Sequence, residues 1–142
     1  MRVSEAMTRD VRVANPDQSI REVASIMKDI DAGAMPVGDN DRLVGVITDR
    51  DIAIRAVAEG KGPDTRVRDV MSTEQVMYCY EDEDLAHVAQ NMAENQVRRL
   101  PVVNRDKRLV GIVSLGDVAN EASHATAGKA VKGVSKPGST QH

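Results

Sequence analysis

Tryptophan and phenylalanine are absent from this chain of 142 residues, and Tyr78 and Tyr80 are its only aromatics. Proteins that hold single-stranded nucleic acid stack bases on several aromatic faces, so that class is excluded and the core must come from Val, Ile, Leu, Met and Ala. The single cysteine, Cys79, has no internal disulfide partner, which agrees with a reducing compartment. No apolar run approaches the roughly 18 residues that span a bilayer, so no membrane partner is expected. A net charge of −3 with mixed signs along the chain provides no basic field for nucleic acid. The N-terminal stretch MRVSEAMTRD is charged throughout and lacks the apolar centre of a signal peptide, so a cytoplasmic location is expected. A P-loop, a Rossmann glycine fingerprint and a paired nucleophile and base are all missing, so the chain is not expected to be an enzyme. His87, His124 and His142 do not cluster with Cys79 at metal-ligand spacing, and no metal is predicted.

What the chain does contain, it contains twice. GVITDRD at 45–51 is echoed by GIVSLGD at 111–117, VSEAM at 3–7 by VRDVM at 67–71, SIREVASIM at 19–27 by DLAHVAQNM at 84–92, and MPV at 35–37 by LPV at 100–102. A repeat with this spacing implies a duplicated supersecondary unit. The boundaries read from it are repeat 1 over 1–60, repeat 2 over 61–124 and a flexible tail over 125–142, with EGKGPDT at 59–65 as the linker.

Each repeat carries the same elements. Ile20, Val23, Ala24 and Met27, and likewise Leu85, Val88, Ala89 and Met92, recur at i, i+3, i+4 and i+7, the stripe of an amphipathic helix. Ser19 with Glu22 forms a capping box for the first of these helices, and Asp84 stands ready to cap the second. Two strands around a polar turn follow, at 34–38 and 43–48 and again at 99–103 and 109–114. A second helix is expected after each hydroxyl residue, over about 49–59 and 115–124. The unit is β-α-β-β-α, so the fold class is α/β (α+β), with two repeats packed sheet to sheet about a pseudo-two-fold axis. The tail is Gly, Ser, Thr and Lys without apolar period, and Lys129, Lys132 and Lys136 read as solvated linker.

The duplicated Gly-x-x-[Thr/Ser]-x-x-Asp admits two uses. Thr48-x-x-Asp51 and Ser114-x-x-Asp117 have the form of capping boxes that end a strand and begin a helix. The same geometry suits a ligand: first-turn N–H groups attract anions, a hydroxyl holds phosphate or sugar, and an aspartate one turn in accepts hydrogen bonds from a ribose diol. The upstream glycine lets a flat ring approach the backbone.

The in-register duplication of strand, Met-ending helix, apolar-Pro-Val strand and this motif resembles the cystathionine β-synthase (CBS) domain in its tandem form, the Bateman module, over residues 3 to 122. The resemblance implies a stand-alone pair in which adenosine ligands bind between the repeats. AMP comes first among them, then ADP, ATP or NAD, with S-adenosylmethionine also known in the family. By that resemblance Asp51 and Asp117 hold ribose hydroxyls, Thr48 and Ser114 lie near ribose or phosphate, and Met35 and Leu100 line adenine slots. Arg98 and Arg99 are either a solvated strand end or, as in the family, phosphate contacts. Repeat 1 has Gly33 and Ala34 there, and Arg50 is opposed by Gly116, so unequal sites are expected, with the Asp51 site the better for a phosphorylated ligand.

The helix IAIRAVAE at 52–59 is apolar on nearly all sides, either because its alanine faces are merely exposed or because it meets a second subunit. The family resemblance favours a homodimer. The expected function is therefore a regulatory nucleotide-binding module for signal transduction or energy sensing, acting on an unknown effector protein. The alternative is a structural or interaction protein whose motifs are only helix caps.

Overall fold

The computed structural model describes the backbone of residues 1–74 and 76–128, and side chains as far as Glu121 apart from Gln75. The chain forms two compact units. The first is Arg12–Met77 with Lys107–Leu109; the second is Met1–Val11, Tyr78–Asp106 and the chain from Val110 onward. Relative to the sequence repeats, the units have exchanged their leading segments: residues 3–11 pack with the second repeat, and 67–77 with the first.

In the first unit, helix α2 (Ile20–Ile30) begins at Ser19, whose hydroxyl accepts the Glu22 N–H at 3.2 Å, one half of the expected capping box. Ile20, Val23 and Met27 are its buried face, and it ends at Asp31 in the left-handed conformation (φ 53°). Strands β1 (Ala34–Asp39) and β2 (Arg42–Thr48) pair antiparallel across a turn in which Asn40 and Asp41 both have positive φ, with a register shift at Val37/Gly38. Asn and Asp tolerate that region best among non-glycine residues, which is why this polar turn closes a tight hairpin. The first strand expected in this repeat shrinks to one parallel bridge between Ala14 and Val37. After β2 the helix expected over 49–59 changes pitch: α3 (Asp49–Asp51) opens into a π-turn (Ile52–Ala56) and tightens to a 3-10 turn (Val57–Glu59). Ala14, Ile20, Val23, Met27, Met35, Val37, Ile47, Ala56, Val67 and Val70 form the core.

The second unit starts with α1 (Val3–Ala6), and its sheet has the order β3 (Cys79–Tyr80), β4 (Arg99–Val103), β5 (Leu109–Ser114). β3 runs parallel to β4, with Cys79 opposite Val102 and Tyr80 opposite Val103. Helix α4 (Leu85–Glu94) buries Leu85, Val88 and Met92 as its stripe predicts. Asp84 occupies its N-cap position but makes no side-chain cap bond; its carboxylate lies 3.6 Å from the Met1 ammonium, and the Met1 carbonyl accepts the Leu85 N–H at 2.8 Å. Helix α5 (Leu115–Gly128) runs four residues past the expected end at 124. The tail expectation beyond it, with Lys129, Lys132, Lys136 and His142, lies outside the described residues. Val3, Met7, Cys79, Leu85, Val88, Met92, Leu100, Val102 and Val113 form the core. Burial pushes the Cys79 thiol up to about 12, so it is a packing residue and not a nucleophile.

The exchanged segments lie across the hairpins at their glycines. Ser72 forms an antiparallel bridge to Val46 through N–H to carbonyl bonds of 2.9 and 3.0 Å, and Thr8 does the same with Ile112 at 2.8 and 2.9 Å. A Cβ on Gly45 would stand 2.8 Å from the Ser72 carbonyl oxygen, and one on Gly111 2.8 Å from that of Thr8 and 2.7 Å from Met7 Sδ. These glycines give way to the chain's own backbone.

Ion pairs pin other segment ends. Arg68 Nε donates to Asp17 Oδ1 at 3.1 Å, and Arg105 reaches Asp82 through two bonds of 2.9 and 2.7 Å while its guanidinium lies 4.1 Å over the Tyr80 ring. The hydrogen bond from Arg68 holds the Asp17 carboxyl below the usual carboxylate range, and that from Arg105 does the same for Asp82.

Two predictions follow from this architecture. Ala at Gly45 or Gly111 should cost about 1–3 kcal/mol in chemical denaturation, the usual penalty of forced overpacking. Gly62→Ala, where nothing lies within 4 Å, should stay near wild type; equal effects at all three would refute the close-approach account. Because the folded-state pKa values of Asp17 and Asp82 are depressed, the stability they contribute is present above the unfolded carboxylate pKa and lost as pH falls through the folded one. Carboxyl NMR titration should give both a midpoint below ordinary aspartates, and Arg68→Gln should raise that of Asp17 while leaving that of Asp82 in place.

Candidate functional site

Each Thr/Ser-x-x-Asp motif stands where a strand ends and a helix begins, and each closes on itself. In the first unit Thr48 Oγ1 accepts the Asp51 N–H at 2.9 Å, and Asp51 Oδ2 accepts the Thr48 N–H at 3.0 Å. In the second, Ser114 Oγ accepts the Asp117 N–H and Asp117 Oδ2 accepts the Ser114 N–H, both at 3.0 Å. The capping expectation is therefore met in both copies, and one carboxylate oxygen of each aspartate is committed to the backbone.

The other oxygen of Asp51 faces a polar surround. Ser72 Oγ donates toward Oδ1 and Oδ2 at 3.3 and 3.4 Å, and Arg55 Nε lies 3.9 Å from Oδ1. The Arg55 Nη1 also donates to the carbonyls of Met71 at 3.2 Å and Val70 at 3.4 Å. Arg55, Met71, Ser72, Thr73 and Glu74 line an open hollow of about 410 Å³ beside this carboxylate. A part-buried carboxylate with a hydroxyl and a guanidinium at its edge can accept hydrogen bonds from a ligand's hydroxyl groups and pair with a ligand anion.

The remaining expected site residues are placed as follows. Arg50 is exposed and its N–H bonds Asp49 Oδ1 at 2.8 Å. Arg98 and Arg99 are exposed at the start of β4, where the Arg98 carbonyl accepts the Leu115 N–H at 2.9 Å; in the first unit Gly33 accepts from Asp49 at the same distance. Met35 and Leu100 are only 1% and 3% exposed, so their side chains belong to the two cores. Ser72 and Arg55 were missed as site residues. Each had a signal: Arg55 follows Asp51 by four positions, one helical turn, and a hydroxyl residue follows the methionine in both VMS and AMT.

Among the described residues no three His, Cys, Asp or Glu side chains are grouped to hold a metal ion, and no helix is long and apolar enough to cross a membrane. His87 is exposed beside Asn91, while the side chain of His124 lies outside the described residues.

The CBS domain family matches residues 3–57 and again 67–124. A solved structure of Hypoxic Response Protein I with two coordinated zinc ions is 34% identical, with a TM-score of 0.74 over 84% of this chain and 98% of that one. The Mycobacterium tuberculosis hypoxic response protein 1 is 33% identical over 134 residues, 94% of this chain and 93% of its own length. The CBS domain pair of MJ0100 in complex with 5′-methylthioadenosine and S-adenosyl-L-methionine is 32% identical, with a TM-score of 0.70 over 91% and 98%. CBSX2 in complex with AMP is 27% identical, with a TM-score of 0.75 over 88% and 98%.

The zinc-bound relative corrects one expectation. The prediction of no metal rested on histidine and cysteine spacing along the chain, and a structure one-third identical that coordinates two zinc ions overturns that exclusion. Sequence spacing screens only for ligands close in the chain, whereas a metal site needs ligands that converge in space. Both matched stretches carry the motif whose geometry is described above, one in each unit, and the chain belongs to the CBS domain family as a tandem pair.

Proposed function

We propose that this chain is a regulatory module that binds an adenosine-containing ligand through Asp51 and Asp117. The observation that carries the proposal is the Asp51 carboxylate, with one oxygen fixed by the Thr48 N–H and with Ser72 and Arg55, which line a polar hollow, beside the other. AMP, 5′-methylthioadenosine and S-adenosylmethionine, the compounds bound by the related structures, share adenosine and not phosphate. An aspartate that accepts ribose hydroxyls suits that common part. In this reading Thr48 and Ser114 fix the aspartate and sit near the sugar, and Arg50, Arg98 and Arg99 are exposed cations available to phosphate. Met35 and Leu100 back the sites from the cores.

A module of this kind acts by ligand-dependent change in the population of its states, so its output passes to a partner protein. Ile54 and Val57 are 51% and 68% exposed on the π and 3-10 turns, and they suit pairing with a second copy into a homodimer. The completeness of both capping boxes supports the second reading, in which the motifs only begin helices.

The test is unfolding by circular dichroism, since the chain lacks tryptophan, with AMP, ADP, ATP, NAD or S-adenosylmethionine in excess. A ligand at about 100 times its dissociation constant should add about 2.7 kcal/mol per site. Asp51→Ala and Asp117→Ala should each fold, lose about 0.5–2 kcal/mol as caps, and lose ligand stabilisation at their own site. Cap-like losses with no ligand response in any protein would leave the motifs as caps alone.

A further inference from the structure

Position for position, the two motifs differ most in charge one helical turn beyond the aspartate. Asp51 is followed at i+4 by Arg55, and Asp117 by Glu121. Arg55 is half-exposed, stands 3.9 Å from Asp51 Oδ1 and lines the hollow. Its Nη1 is held by the Val70 and Met71 carbonyls, which orient the guanidinium without neutralising it. No hydrogen bond of its Nη2 is seen among the described residues. Asp51 offsets only part of its charge at that distance, and Glu74 across the hollow is exposed. Glu121, on α5, is part-buried one turn from the part-buried Asp117. The nearby cations of that unit, Arg9, Arg98 and Arg99, are exposed and lie on other elements.

We infer that Arg55 makes the Asp51 site selective for a phosphorylated adenosine ligand, while Glu121 gives the Asp117 site a preference for an adenosine ligand without phosphate. The inference rests on the proposal that both motifs hold adenosine, and adds the ligand class that each takes. A guanidinium already aligned at the edge of a hollow binds a phosphate oxygen by a charge-assisted bond, with little side-chain freedom left to lose. A carboxylate four residues beyond Asp117 on a regular α-helix, one turn away, repels the same phosphate and tolerates an uncharged or cationic 5′ substituent. The specificity is thus a difference between two sites built on one motif, with the repulsive element as important as the attractive one.

The experiment is a residue-resolved NMR titration of the full chain with AMP and, separately, with adenosine. It is followed at the Thr48 and Asp51 amides for one site and at Ser114 and Asp117 for the other. AMP should shift the first pair at about tenfold lower concentration than the second, the scale of one hydrogen bond to a charged group. Adenosine should not show that order. Arg55→Gln should lower the ratio of AMP to adenosine affinity at the first pair by about tenfold, and Arg55→Lys should restore much of it, an outcome that a purely structural role would not give. Glu121→Gln, in the other unit, should raise the AMP response of Ser114 and Asp117. AMP binding that is indifferent to the charge at 55 and 121 would overturn this inference and leave the adenosine proposal standing. No response to either compound would overturn both.

Discussion

The structure depends on one close approach made twice: a peptide carrying a hydroxyl residue laid against a strand glycine. Ser72 crosses at Gly45 and Thr8 at Gly111, each with paired backbone hydrogen bonds and a methionine sulfur, at 3.1 and 2.7 Å, closer to the missing Cβ than van der Waals contact allows. Two backbones cannot come this close past a side chain, so the glycine is set by packing before any ligand is considered. The crossing also decides how the chain divides. Because residues 3–11 bind β5 and residues 67–77 bind β2, each compact unit takes its lead segment from outside its own sequence repeat.

The same crossing builds the candidate site in the first unit. By lying over β2, the 70–72 segment brings the Ser72 hydroxyl to the Asp51 carboxylate and offers the Val70 and Met71 carbonyls to Arg55. Thr48 and Asp51 meanwhile hold each other in a reciprocal box, which fixes the carboxylate at a cost the cap already offsets. The cap uses Oδ2 of Asp51, and Oδ1 faces the Ser72 hydroxyl and the Arg55 guanidinium. Capping and binding could not be separated from sequence: both need a hydroxyl, two spacers and an acid at the start of a helix.

Much of the fold was legible because it follows from local chemistry. The Ser19 cap, the stripe Ile20, Val23, Met27, the stripe Leu85, Val88, Met92 and the two-strand hairpins appear where periodicity puts them. Asp84 shows the limit of that logic. It has the right residue type at the N-cap position, yet its side chain makes no cap bond and lies against the Met1 ammonium, a partner distant in sequence that no local pattern could supply. The strand glycines also make room for Thr8 and Ser72, a tertiary contact that the sequence reading did not contain. Met35 and Leu100 were assigned to the site on resemblance, while their apolar character already suited the cores they occupy. Metal exclusion failed for a related reason, since spacing along a chain does not measure convergence in space.

The helices after the two motifs show how duplicates diverge without losing the fold. After Ser114 the chain runs as an α-helix to Gly128, whereas after Thr48 it passes through a π-turn over Ile52–Ala56. A π-turn inserts one residue into the ladder, a rare irregularity that is frequent at functional sites. Here the Val57 N–H reaches back to the carbonyls of both Ala53 and Ile52, and Ala56 is fully buried in the core while its neighbour Arg55 remains half-exposed at the hollow. The core contact of Ala56 and the carbonyl contacts of Arg55 constrain adjacent residues in different surroundings, and the widened turn satisfies both. The irregular helix and the guanidinium beside Asp51 are thus parts of one adjustment, present in the repeat that carries Arg55 and absent from the one that carries Glu121.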